Sequence, residues 1–147
     1  MKSGVVPFQG EVMFRIFYVS AANQSFSTHD LGQLLQKARD QNESAVVTGM
    51  LVYSDGDFLQ VLEGEPTNVV GIYDRISIDP RHRDISVLQR GLGYGDRLFP
   101  SWSMGFKRVP DGELIDEAVG VNSRIKLRYL DAMSALDFLL ACSRSQT

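Results

Sequence analysis

The sequence predicts an α+β fold of the ferredoxin-like kind. Its elements run β-α-β-β-α-β with a fifth strand appended, two helices on one face of the sheet and C-terminal helices on the other. Three observations predict it. Segments rich in β-branched and aromatic residues alternate with segments whose apolar residues recur at helical spacing. An Asp55-Gly56 pair joins two such strands as a tight hairpin, which supplies the β-β step in the middle of the pattern. After residue 110 the strand signal ends and an apolar helical period takes over.

Each element follows in turn. Residues 1–12 contain Gly, Ser and Pro and read as a leader. Residues 13–20 form the first strand, with Phe14, Ile16 and Tyr18 on one face and Phe17 and Val19 on the other. Ser27 or Thr28 caps a first helix, with Asp30 in its first turn and Leu31, Leu34, Leu35 and Ala38 along its apolar side. That helix is expected to end over residues 42–44. A second strand over 46–53 carries Gly49 in its interior, and the third occupies 57–63. Pro66 or Thr67 starts a second helix, striped by Val69, Val70, Ile72, Tyr73 and Ile76, and Asp79-Pro80 stops it. A fourth strand over 85–94 is loosened by glycines, and a fifth is expected over 103–108. In the tail a short helix over 113–118 precedes a long one over 125–141, bearing Leu127, Leu130, Met133, Leu136 and Leu140. The expected organisation is a leader (1–12), a principal domain (13–109) and a C-terminal helical cap (110–147). The cap covers the sheet face that the first two helices leave open.

Composition narrows the function. A chain of 147 residues, 44% hydrophobic and 22% charged, suits one soluble domain with a real core. Its net charge of −3 gives no electrostatic reason to expect nucleic acid or an anionic membrane as partner. Cys142 is the single cysteine and His29 and His82 the two histidines, so no internal disulfide and no cysteine or histidine metal cluster is expected. No apolar run reaches transmembrane length, and Lys2 is not followed by a long apolar core. Cytoplasm is the expected location.

The third strand is the most informative segment. Phe58, Gln60 and Leu62 share one face, so a carboxamide sits between two large apolar side chains. Burying it costs free energy unless donor and acceptor both find partners, which suits a side chain that reads a polar heterocycle. In this fold the first and third strands are neighbours, so Tyr18 and Gln60 can meet beneath the two helices. The plainer reading of Tyr18 is a core tyrosine, and of Asn42 a helix C-cap. Arg81 and His82 read as a solvated basic loop or as a clamp at the mouth of the inter-helix cleft. Trp102 and Met104 share a strand face, as core filler or as a strand that can shift. Asp55, Asp57, Asp111 and Glu113 read as turn and surface residues. Ser20 lacks the partners of a nucleophile. These residues leave open a phosphate-handling enzyme of the acylphosphatase kind using Arg39 or Arg81, and a colourless binding module.

Taken in order, Phe17-Tyr18-Val19-Ser20, Ala38-Arg39 with Asn42, Thr48-Gly49-Met50-Leu51, Phe58-Leu59-Gln60-Val61-Leu62-Glu63-Gly64, Asp79-Pro80-Arg81-His82, and Phe99 with Trp102-Ser103-Met104 form a set. That set resembles the BLUF domains, blue-light sensors that bind FAD, over about residues 13–108. The resemblance implies a non-covalent FAD between the two helices. It implies photochemical roles for Tyr18 and Gln60, ring contacts from Asn42 and Arg81, and weaker contacts from Ser20 and His82. Trp102 and Met104 would relay the signal to an unidentified downstream protein. It implies a sensor and not a turnover enzyme. Ala132 and Ala135 on the tail helix are small enough for pairing with a second copy, so a homo-oligomer is a further expectation.

Overall fold

In the computed structural model the described residues are 11–100, 104–109 and 126–144. The elements are β1 (Glu11–Ala22), α1 (Thr28–Ser44), β2 (Thr48–Ser54), β3 (Asp57–Gly64), α2 (Pro66–Ser77), β4 (His82–Gly95), β5 (Gly105–Arg108) and α3 (Ala132–Arg144). One sheet has the order β4-β1-β3-β2-β5. Every neighbouring pair is antiparallel except β2 with β5, which is parallel. This is the predicted ferredoxin-like sheet with its fifth strand added beside β2.

Local chemistry sets most boundaries. Ser27 caps α1 in a reciprocal box with Asp30, the hydroxyl accepting from the Asp30 N–H and the carboxylate from the Ser27 N–H. Glu65 caps α2 by accepting from the N–H groups of Thr67 and Asn68, and Pro66 opens the helix where no N–H is needed. Asp55 and Gly56 take φ of 52° and 76°, the pair of left-handed residues that matches a two-residue hairpin turn to strand twist. Gly49 is required for another reason. A Cβ there would lie 2.0 Å from the carbonyl oxygen of Val61 on the paired strand.

Several boundaries differ from expectation. β1 starts at Glu11, inside the expected leader, because Glu11 and Val12 pair with Gly95 and Tyr94 of β4. β2 starts at Thr48 and not at Val46. Val46 takes φ 54° and the Val47 N–H closes back on the Asn42 carbonyl, so two residues are spent terminating α1. Asn42 therefore lies inside the last turn of α1, with Ala45 as the cap. The tail is not one helix over 125–141. A single 3₁₀ turn (Leu127–Tyr129) is followed by extended Leu130, and α3 starts only at Ala132. Asp131 is the reason, since its carboxylate accepts from the Ser134 N–H as an N-cap. The short helix expected over 113–118 lies outside the described residues, as does Trp102.

Two cores flank the sheet. On one face Ile16, Leu51, Phe58, Leu62 and Met104 pack under Leu31, Leu34 and Leu35 of α1 and Val69 and Ile72 of α2. On the other, Phe17, Val19, Met50, Val52, Leu59 and Val61 pack against Ala135, Phe138, Leu139 and Cys142 of α3. The tail thus covers the second face, as predicted, but with a different stripe: Met133 is 76% exposed while Ala135 is fully buried. Ala135 is accordingly not available to a second copy. The Cys142 thiol is buried in this core, which pushes its pKa up to about 11.

Two carboxylates of β3 are buried at its two ends. Glu63 pairs with Arg15 at 2.8 Å and accepts from the N–H groups of Leu98 and Phe99, which fixes the connection from β4 to β5. Asp57, expected at the surface, is fully buried and takes a two-point contact from Arg128 at 2.7 and 2.9 Å.

Candidate functional site

Period-two alternation and strand register build the floor of the site. Tyr18 on β1, Gln60 on β3 and Leu51 on β2 are successive register partners, so their side chains rise together toward α1 and α2. Tyr18 is fully buried and Gln60 is 5% exposed. The Tyr18 hydroxyl donates to Gln60 Oε1 in a close hydrogen bond. Gln60 Nε2 in turn points at Met104 Sδ, 3.7 Å away, so one carboxamide links the phenol to a buried thioether. The Tyr18 ring meets Tyr73 of α2 edge-on at 5.4 Å. Burial raises the Tyr18 pKa well above its ordinary value, with Tyr73 and Asp79 adding to the effect, so the phenol keeps its proton.

Above this floor an open-mouthed cleft separates α1 from α2. Leu34 and Ala38 form one wall and Ile72 and Ile76 the other, with Leu51 and Gln60 beneath. Asn42, 1% exposed, lines it from the last turn of α1. Lys37 and Arg75 stand at its mouth from opposite helices, and Arg81 and His82 close one end.

That end is stitched together by side chains that sequence reading gave no site role. The Asp79 carboxylate accepts from the Arg81 main-chain N–H at 2.9 Å and from its guanidinium at 2.5 to 3.1 Å. These bonds from Arg81 lower the Asp79 carboxyl to about 2. Asn23 holds the same turn, its side chain donating to the carbonyls of Pro80 and His82 and its N–H to that of Arg81. The sequence reads Asp79 as a helix stop and as part of the Asp79-Pro80-Arg81-His82 motif, without a site role of its own. The signal that could have exposed it is the Asp-Pro-Arg spacing, which lets a side chain cap its own turn two residues on. His82 opens β4 rather than sitting in a loop, with Nδ1 3.2 Å from Ser20 Oγ and its ring against Phe58. Burial lowers its pKa, which favours the neutral imidazole. Ser20 thus reaches the cleft through His82.

The donor set fits a planar, nitrogen-rich ring. Aliphatic walls suit a flat aromatic body, while carboxamides in the floor and wall and a guanidinium and imidazole at one end suit carbonyl and ring-nitrogen edges. The two cationic groups weighed for a phosphate-handling enzyme are differently engaged. Arg39 Nε donates to the Met104 carbonyl at 2.9 Å, and Arg81 is paired with Asp79.

Comparison with known proteins points to one family. Residues 13–105 match the family model described as BLUF, sensors of blue-light using FAD. The photoactivated adenylate cyclase subunit beta of Euglena gracilis is 35% identical over 88 residues, 59% of this chain and 10% of that protein. The chain thus spans about a tenth of the length of the curated relatives it matches. The structure of the BlsA photo-activated state superposes with a TM-score of 0.76 at 28% identity, covering 92% of this chain and 97% of that one. BlrB, a BLUF protein in its dark state, shares the fold with a TM-score of 0.71 at 24% identity over 90% and 97%.

Proposed function

The chain belongs to the BLUF family of blue-light sensors using flavin, and on that premise we propose that it holds FAD in the α1–α2 cleft with Tyr18 and Gln60 as its photochemical pair. The observation that carries this reading is the buried hydrogen bond from Tyr18 to Gln60 in the floor of the cleft. Asn42, Arg81 and His82 would meet the polar edges of the ring, with Ser20 supporting His82. Asp79 and Asn23 hold Arg81 and His82 in place.

When bound, FAD supplies the absorption of blue light and, once excited, the oxidant for a neighbouring side chain. Tyr18 is the donor. On losing an electron to the excited flavin its phenol would become strongly acidic, and its proton would leave along the described hydrogen bond toward Gln60 Oε1. Gln60 can relay because a carboxamide carries donor and acceptor on one plane. When the electron and proton return to Tyr18, Gln60 is left with a rearranged set of hydrogen bonds. Met104, its other partner, senses that change. No net reaction is completed, so the output is conformational and reversible.

We assign the chain no turnover of its own. The cyclase activity named for the Euglena relative belongs to that protein, and the partner here is proposed as a downstream protein that reads the β5–α3 side of the domain. A cytoplasmic location is proposed as well; among the described residues no helix is long and apolar enough to cross a membrane. The test begins with colour. Purified protein should be yellow, or become so with added FAD, and blue light should red-shift its absorption reversibly. Asn42→Ala and Arg81→Ala should each weaken FAD binding, by about 0.5–1.5 kcal/mol for the neutral amide and more for the guanidinium. A protein that stays colourless with FAD, or variants that bind it as well as wild type, would defeat the assignment.

A further inference from the structure

Arg39 is unexplained by the site described above. It lies on α1, three residues before Asn42, and its guanidinium reaches across to the main chain of Met104, with Nε 2.9 Å from the carbonyl. Met104 needs such a tether. Its ladder contacts have not yet begun, since β5 pairs with β2 only from Gly105 onward. Its sulfur is a weak acceptor for Gln60 Nε2. An unbranched thioether with three rotatable bonds does not hold itself in one rotamer. A charge-assisted bond to its carbonyl from the neighbouring helix is the strongest polar contact described for this residue. Glu63 fixes the near side of the same connection through Leu98 and Phe99.

The contacts run from the floor of the cleft to its wall. Gln60 touches Met104, Met104 is held by Arg39, and Arg39 shares a helix turn with Asn42, which lines the same cleft as Gln60. A held Met104 resists any rearrangement of Gln60 that removes the Nε2 contact, and releasing it lets the rearranged state persist. We propose that Arg39 is a positioning residue of the photocycle: its hydrogen bond to the Met104 carbonyl keeps the Met104 sulfur against Gln60 and so sets how long the lit state lasts. The inference rests on the reading of Tyr18 and Gln60 as the photochemical pair.

The test uses the flavin-loaded protein with ¹³C-labelled methionine methyls, assigned through Met104→Ala. In darkness, Arg39→Gln should move or split the Met104 methyl resonance, and Arg39→Lys, which can still donate, should do so less. Recovery after blue light should slow about twofold or more in Arg39→Gln, the lower end of coupling within one hydrogen-bond network. Arg39→Lys should recover in between. The double variant with Met104→Ala should recover at the rate of Met104→Ala alone, an outcome that mere loss of helix stability would not give. An unmoved Met104 methyl, wild-type recovery in Arg39→Gln, or a full-sized Arg39 effect without Met104 would each overturn the proposal. Should wild type show no photocycle, the photosensory reading falls, while the dark methyl spectrum still decides whether Arg39 positions Met104.

Discussion

At the scale of single residues, the site depends on where a few polar groups are buried. Gln60 was legible in the sequence, because strand alternation places a carboxamide among Phe58 and Leu62 and burial then demands partners. Those partners are Tyr18 and Met104. Asp79 and Asn23 were not legible, since their work is to bind main-chain groups of a turn, and turn geometry is not visible in side-chain patterns. Asp79 gives a pH prediction. Its folded pKa of about 2 lies below the ordinary carboxylate value, so the stability it contributes is present above about pH 4 and is lost as the pH falls toward 2. The pair is partly exposed, so the effect is small, within about 1 kcal/mol. Asp79→Asn should flatten the stability profile between pH 4 and 2, and at neutral pH should weaken FAD binding by freeing Arg81. Urea titrations across that range, with FAD titrations at pH 7, check both; an unchanged acid limb would mean the pair contributes nothing.

At the scale of elements, local signals placed the five strands and three main helices correctly in kind and order, and misplaced boundaries where tertiary pairing or capping competes. The extension of β1 to Glu11 comes from its pairing with β4, which no local window contains. Extended Leu130 and the Asp131 cap split a helical period that looks continuous by hydrophobicity alone. Asp131→Ala should cost about 1 kcal/mol by removing that cap, read as a lower urea midpoint. Gly49 is the sharper case. Any side chain there meets the Val61 carbonyl across the β2–β3 ladder, so Gly49→Ala should cost at least 1–3 kcal/mol as strands are forced apart. That loss corresponds to roughly 2–4 °C in Tm per kcal/mol for a chain of this size. A Gly49→Ala protein as stable as wild type would show that β2 and β3 separate more easily than their register implies.

At the scale of the whole molecule, β3 is the hub. One of its faces carries Gln60 beneath the cleft; the other carries Asp57, paired with Arg128 of the C-terminal segment, and Leu59 and Val61 in the core shared with α3. We propose that a change at Gln60 reaches α3 through the sheet, with Met104 and β5 as a lateral route. Such coupling requires two discrete packings and not a mere chain of neighbours. Met104→Ala should keep the light-induced spectral shift yet reduce light-dependent hydrogen exchange in residues 126–144; equal exchange changes in variant and wild type would place the route elsewhere. Arg128→Met should raise exchange in that segment even in darkness, since it leaves the buried Asp57 uncompensated. The central claim is that the buried Tyr18–Gln60 hydrogen bond converts absorbed light into structure. The most direct measurement is the light-minus-dark absorption spectrum of Tyr18→Phe loaded with FAD. The ring still packs but has no proton to give, so the account predicts a yellow protein whose reversible red-shift is gone. A red-shift of wild-type size and lifetime in that variant would contradict it.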